Sequence, residues 1–234
     1  MEVGKKNIIR RTLRHLRPSH IVKSRLTKRV VQKVSEKYGL VYFGYVSQNE
    51  DDHKAVRGYT VSKSQIDDHY CIGTIQNYDV TFVQRNDLVL GLDRKEVRCH
   101  WLITSIDLKS RRSLPRFFVG PQAHSDILKA SYSQLHQVQL GNTTQYPHKF
   151  LSNYFVYAKP QDVINIEWLF PPSAAEIVTG YFADMSFEVE NNVLYVYNES
   201  AYPTAEKIDK MFENGIWLAR YIDAITNADV NKEF

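Results

Sequence analysis

The chain is sparing with cysteine, glycine and proline, and it has no long apolar run. Its 234 residues include only 2 Cys, 10 Gly and 8 Pro. Cys71 and Cys99 cannot build a disulfide framework and fit a reducing compartment. The longest purely apolar stretches span a few residues, such as Val41-Tyr42-Phe43. A membrane-spanning helix needs about 20. The start, Met1-Glu2-Val3-Gly4-Lys5-Lys6, lacks the apolar stretch of a secretory signal, so the expected location is cytoplasmic. The glycines never form a phosphate-cradling loop followed by Lys and Ser/Thr, nor a dinucleotide fingerprint. No serine lies in a nucleophile elbow, and no histidine pair has the helical spacing of a zinc protease. No cofactor is expected. An enzyme is the less favoured class, although an active site assembled from scattered residues stays open.

What the chain does have is core material and an uneven charge. Hydrophobic residues make up 43% and aromatics 12%, which rules out wholesale disorder at this length. The overall +4 conceals a division. Residues 1–37 hold 12 Lys and Arg against Glu2 and Glu36, a net +10. Residues 160–234 hold 4 basic and 13 acidic residues, a net −9. The basic segment either faces an external polyanion, nucleic acid or anionic lipid, or docks on the acidic C-terminal third of its own chain.

Apolar spacing predicts a short helix over Val3–Leu16, interrupted by Pro18. Ser19 is a suitable N-cap for a second helix to Tyr38. Val22, Leu26, Val30 and Val34 would form its buried stripe, widened by Val31 and Tyr38. Arg25, Lys28, Arg29 and Gln32 would fall opposite. Gly39 closes it. From Leu40 the period changes to two. Strands are predicted at Leu40–Val46, Val56–Ser62, Tyr70–Gln76, Asp79–Gln84, Leu88–Leu92, Glu96–Asp107 and Pro115–Val119. Arg85-Asn86-Asp87 reads as a turn. A mid-chain helix is expected at Ser125–Leu135, and extended segments at Tyr154–Ala158 and Val163–Phe170. Pro171-Pro172-Ser173 opens a helix reaching Asp184. Strands Ser186–Glu190 and Val193–Tyr197 flank the tight-turn signal Asn191-Asn192. A long helix over Thr204–Asn227 would bury Ile208, Met211, Phe212, Gly215, Ala219 and Ile222, with Gly215 a close packing point.

The fold class that follows is α+β: a mainly antiparallel sheet with a basic N-terminal helix, a mid-chain helix, a proline-started helix and a long C-terminal helix. Residues 1–38 form the basic helical segment. Residues 39–234 form one α+β domain, with a join between two subdomains conceivable near 120–150.

Chemistry-bearing residues are scattered. Asp51-Asp52-His53 and Asp67-Asp68-His69 bracket one predicted strand, with Cys71 just beyond. Carboxylate and imidazole together suit a transition metal, yet each tripeptide also reads as a solvated turn, and no metal site is assigned. Cys99 and His100 are strand neighbours and point to opposite faces. Glu188 and Glu190 share a strand face and read as the solvated outside of a hairpin. Lys109–Arg116 is a basic loop that could grip a phosphate or a lipid headgroup, or simply connect two strands in solvent.

One region carries a resemblance. Phe150-Leu151-Ser152-Asn153-Tyr154-Phe155-Val156-Tyr157-Ala158, Leu169-Phe170-Pro171-Pro172 and Glu188-Val189-Glu190-Asn191-Asn192-Val193-Leu194-Tyr195-Val196-Tyr197 follow a pattern. It resembles uncharacterised bacterial proteins with an aromatic F-x-V-Y strand, a proline-started helix and an E-x-x-x-x-x-L-Y-V-Y hairpin. The likeness spans roughly residues 115–200. It implies an α+β domain and no catalytic residue. Some proteins of that type also carry transmembrane helices.

The reading that results is a non-enzymatic binding or scaffolding protein. Its N-terminal helix would contact an anionic surface, lipid or nucleic acid, or a protein partner. Arg25, Lys28 and Arg29 are the best-placed residues, supplemented by Lys5, Lys6, Arg10, Arg11 and Arg14. The alternatives are an enzyme with a dispersed site, metal-assisted through Asp67, His69 or Cys71, and a structural subunit of a homo-oligomer.

Overall fold

The β-branched and aromatic residues of the middle and late chain assemble into a single antiparallel sheet. The structure, a computed structural model, describes residues 18–44, 66–90, 96–124 and 135–230. Among these residues nine strands run β1 (Val41–Gly44), β2 (Ile66–Ile75), β3 (Tyr78–Leu90), β4 (Glu96–Asp107), β5 (Phe117–Pro121), β6 (His136–Val138), β7 (Tyr154–Ala158), β8 (Met185–Glu190) and β9 (Val193–Glu199). Their order across the sheet is β1-β2-β3-β4-β9-β8-β5-β7-β6, so β1 and β6 are the edges. Five α-helices accompany them among the described residues: α1 (Pro18–Tyr38), α2 (His148–Asn153), α3 (Val163–Leu169), α4 (Pro172–Tyr181) and α5 (Ala205–Val230). The architecture is α+β, and no described helix is long and apolar enough to cross a membrane.

The helices supply the cover for one face of the sheet. Val80, Phe82, Leu102, Ile106, Phe187 and Val196 from the strands share a core with Val31, Val34, Ile166, Val178, Phe212 and Ala219 from the helices. The other face carries a second cluster that includes Val83, Trp101, Ile103, Phe118, Tyr157 and Tyr197. Burial on both faces explains why β5 and β7 are continuous apolar runs without alternation.

Local sequence signals account for most element ends. Asn191 and Asn192 adopt φ of 51° and 60°, the left-handed pair that a two-residue hairpin needs and that asparagine tolerates. They join β8 to β9 as expected. Gly39, at φ +69°, closes α1 with Leu40 N donating to Ser35 O (2.8 Å) and Gly39 N to Glu36 O (3.2 Å). That pair of bonds is the Schellman closure. In α5, Ile208, Met211, Phe212, Gly215, Ala219 and Ile222 are all buried. A Cβ at Gly215 would sit 2.7 Å from Ile106 Cδ1, so the glycine permits the close approach of helix to sheet.

Several expectations need correction. Arg85-Asn86-Asp87 is no turn: it lies inside β3, paired to both β2 and β4. The turn is at Gln76–Asn77, with φ of 50° and 69°. Arg85 is 1% exposed, and its Nε and Nη2 donate to Asp67 Oδ1 (2.6 Å) and Oδ2 (2.7 Å). Val163–Phe170 is helical, because Val163, Ile166 and Leu169 recur at three-residue spacing on the buried side. Strand β5 begins two residues later than expected. The predicted helices at Val3–Leu16 and Ser125–Leu135 and the strand at Val56–Ser62 fall wholly or almost wholly outside the described residues.

Candidate functional site

Helix α1 has two sides with different work. Thr27, Val31, Val34 and Ser35 are buried, with Val30 and Tyr38 partly so. Positions 27, 31, 34, 35 and 38 form one line along a helix of 3.6 residues per turn. The line is rotated about one residue from the expected Val22-Leu26-Val30-Val34 stripe, and Leu26 is 55% exposed. The Tyr38 ring meets Phe212 of α5 edge-on, with centroids 5.0 Å apart.

Arg25, Lys28 and Arg29 are exposed. Arg25 and Arg29 stand one turn apart, opposite the buried line, and Lys28 flanks it. Lys33, one turn beyond Arg29, is exposed on the same side. Its four-residue spacing from Arg29 could have placed it with the other three. Lys5, Lys6, Arg10, Arg11 and Arg14 lie outside the described residues.

The contact between α1 and the acidic C-terminal third is narrow. Lys37 Nζ lies 2.9 Å from Asp209 Oδ2 of α5 and 5.0 Å from the centroid of its neighbour Tyr38. The Asp209 carboxylate raises the Lys37 pKa above its ordinary value. Arg25, Lys28, Arg29 and Lys33 form no ion pair among the described residues.

Lys28 also acts at a distance. It lies close enough to His69 of β2 that its charge, after burial, lowers the His69 pKa. His69 sits at φ 56°, where the β2–β3 register shifts between Asp68 and Cys71. Its Nδ1 is 2.8 Å from Tyr42 Oη. A lowered pKa favours the neutral ring, whose tautomer sets which of Nδ1 and the phenol donates.

The carboxylates, imidazole and thiol considered for a metal do not converge. Asp67 is bound to Arg85 and His69 to Tyr42. Cys71 is 1% exposed, and burial pushes its thiol up to about 12, partly offset by Ser35. That leaves no thiolate at neutral pH. Among the described residues no three His, Cys, Asp or Glu side chains form a metal-holding group. Asp51, Asp52 and His53 lie outside those residues.

Glu188 and Glu190 are not a solvated pair. Glu188 is 0% exposed and accepts from Tyr197 Oη (3.0 Å) and from Arg116 Nη2 (3.3 Å). Arg116 Nη1 lies 3.3 Å from Glu190 Oε1. The basic loop is likewise ordered. Asn192 Nδ2 donates to the carbonyls of Ser110 (3.0 Å) and Arg112 (2.9 Å), and Leu114 N donates back to Asn192 Oδ1 (3.1 Å). Lys109 N donates to Asp223 Oδ1 (3.0 Å), and its ammonium lies 4.7 Å from the Tyr78 ring centroid.

No protein-family model matches the chain, and no curated protein matches it. A solved structure does. The chain is similar to the mycobacterial trehalose monomycolate transport factor A, TtfA. The superposition has a TM-score of 0.58 and covers 85% of this chain and 93% of TtfA. Identity is 11%, so what the chain shares with TtfA is the fold.

Proposed function

We propose that the chain is a non-enzymatic binding or scaffolding protein that docks on an anionic partner or surface through the outer face of α1. Arg25, Lys28 and Arg29 make the contact, Lys33 extends it, and Lys5, Lys6, Arg10, Arg11 and Arg14 add attraction. The observation that carries this reading is the division of labour along α1. Its inner line is committed to α5 and the sheet, while its outer cations are exposed and form no ion pair with the acidic third among the described residues. A rigid helix loses less entropy on binding than a flexible basic tail would. The likeness to a protein named as a transport factor is compatible with a binding role. Two buried cysteines fit the cytoplasm, where we place it.

The enzyme reading through Asp67, His69 or Cys71 has less support, because each is engaged separately. The test is binding of the full chain to phosphatidylserine-containing vesicles and to a DNA duplex across a salt series. Affinity for at least one should fall steeply with salt as counterions and headgroups compete. Binding to neither, or binding insensitive to salt, contradicts the proposal.

A further inference from the structure

The ordered basic loop forms one wall of a groove that the helix-face proposal leaves unused. The groove has a volume of about 660 Å³, within the range of small-molecule sites. Arg112 and Arg116 come from the loop after β4, Lys159 from the end of β7, Asn165 and Trp168 from α3, and Asn191 from the β8–β9 turn. Three chain segments, with Thr226 of α5 as a fourth, therefore converge on one concavity.

The chemistry of the lining is uneven in a useful way. Arg116 is held by Glu188 and Glu190 and serves as scaffold. Lys159 is exposed and forms no ion pair among the described residues. Trp168 is 41% exposed and lines the groove. Its placement is fixed from behind. The adjacent Glu167 carboxylate accepts from the amides of Gly141 (2.7 Å), Asn142 (2.8 Å) and Thr143 (3.0 Å) and from the Thr143 hydroxyl. Those bonds anchor α3 and let Glu167 point inward while Trp168 faces out.

We propose that this groove binds a phosphate ester with a ring-shaped organic part. Lys159 takes the phosphate, the lining residues Arg112 and Arg116 add positive potential, and Trp168 takes the ring. A compact ammonium in a wall that also carries two guanidinium groups suits a tetrahedral oxyanion. A partly exposed indole lining a concave wall suits stacking on a ring. Asn165 and Asn191 supply both donors and acceptors for ring substituents. Asp162 and Glu190 in the same lining oppose a highly charged ligand, which favours one phosphate over a polyphosphate. A soluble phosphate ester and a lipid headgroup share this chemistry.

The test is calorimetric titration of the full chain with adenosine monophosphate, inorganic phosphate and adenosine. Vesicles of phosphatidylcholine with and without phosphatidylinositol form a second arm. Adenosine monophosphate should bind more tightly than either of its parts. Lys159→Ala should weaken it about tenfold, the scale of one lost charge-assisted contact. Trp168→Ala should weaken adenosine monophosphate while leaving inorganic phosphate unchanged. Lys159 is exposed, so Lys159→Ala should leave Tm unmoved. Trp168 is partly buried, so retained binding of inorganic phosphate shows that Trp168→Ala is folded. If phosphatidylinositol vesicles bind with these two dependences and the nucleotide does not, the source is a lipid headgroup. Absence of binding in both arms overturns the proposal, as do variants that bind like the parent chain. Vesicle binding that survives Lys159→Ala and Trp168→Ala but fails on reversal of the α1 charges also overturns it, because that binding belongs to the helix.

Discussion

His69 occupies left-handed backbone at the β2 irregularity, with its ring stacked near Tyr42 at a centroid distance of 6.0 Å. Burial and Lys28 lower its pKa in the fold. The unfolded chain therefore binds a proton more readily, and stability rises with pH across this titration. The His69 contribution is present above the ordinary value of 6.5 and is lost as pH falls below it toward the folded pKa. Tm should fall between pH 7.5 and pH 5.5, and His69→Asn should shrink that fall, since asparagine tolerates the same backbone region. An unchanged pH dependence in the variant would remove His69 from the account. At this scale the sequence was a partial guide. The Asp67-Asp68-His69 tripeptide stands out by composition, but a strand irregularity sends its members to different partners. Arg85 reads as part of a turn and Glu188 as solvated because their neutralising partners, Asp67 and Arg116, are 18 and 72 residues away.

At the scale of elements, what could be read was whatever a local rule determines. Gly39 as a helix stop, Asn191-Asn192 as a hairpin and Pro171-Pro172 as a helix start all depend on backbone freedom within a few residues. Gly215 belongs here as well. Gly215→Ala should be close to neutral, since about 1 kcal/mol of helix propensity offsets the contact with Ile106. Gly215→Val adds methyls beside Ile106 and Val196 and should cost about 1–3 kcal/mol by overpacking. Thermal unfolding that leaves the valine variant as stable as the parent would deny the close approach. Helix α3 was misread because Ile164-Asn165-Ile166-Glu167-Trp168 alternates like a strand. Its anchor, the amide cradle around Glu167, belongs to a loop more than 20 residues away. The phase of α1 was misjudged for a similar reason: Thr27 and Ser35 are buried, and spacing counts only apolar residues. A chain starting at Tyr38 loses the burial of Val31 and Val34, about 3 kcal/mol or more. Its Tm should drop by roughly 6 °C or more for a chain of this size. An unchanged Tm would mean that α1 contributes nothing to the core.

At the scale of the whole molecule, the charge asymmetry and the fold bear on one another. A basic N-terminal segment beside an acidic C-terminal third invites internal neutralisation, yet Lys37–Asp209 is the ion pair that joins α1 to α5 among the described residues. Among the described residues, the cations on the outer face of α1 form no ion pair. The similarity to TtfA concerns the sheet and its helices, and 11% identity carries no residue roles. The functional reading therefore rests on this chain's own surface. It requires that the charges on the outer face act on a partner and not on the fold. Replacement of Arg25, Lys28 and Arg29 by glutamate, with Tm and affinity for phosphatidylserine-containing vesicles and a DNA duplex measured on the same preparation, tests that requirement most directly. The account predicts an unchanged Tm and a loss of binding of about a hundredfold or more, from ~1 kcal/mol per basic residue at an anionic surface. Binding that persists at the parent level, or that falls only together with Tm, would contradict it.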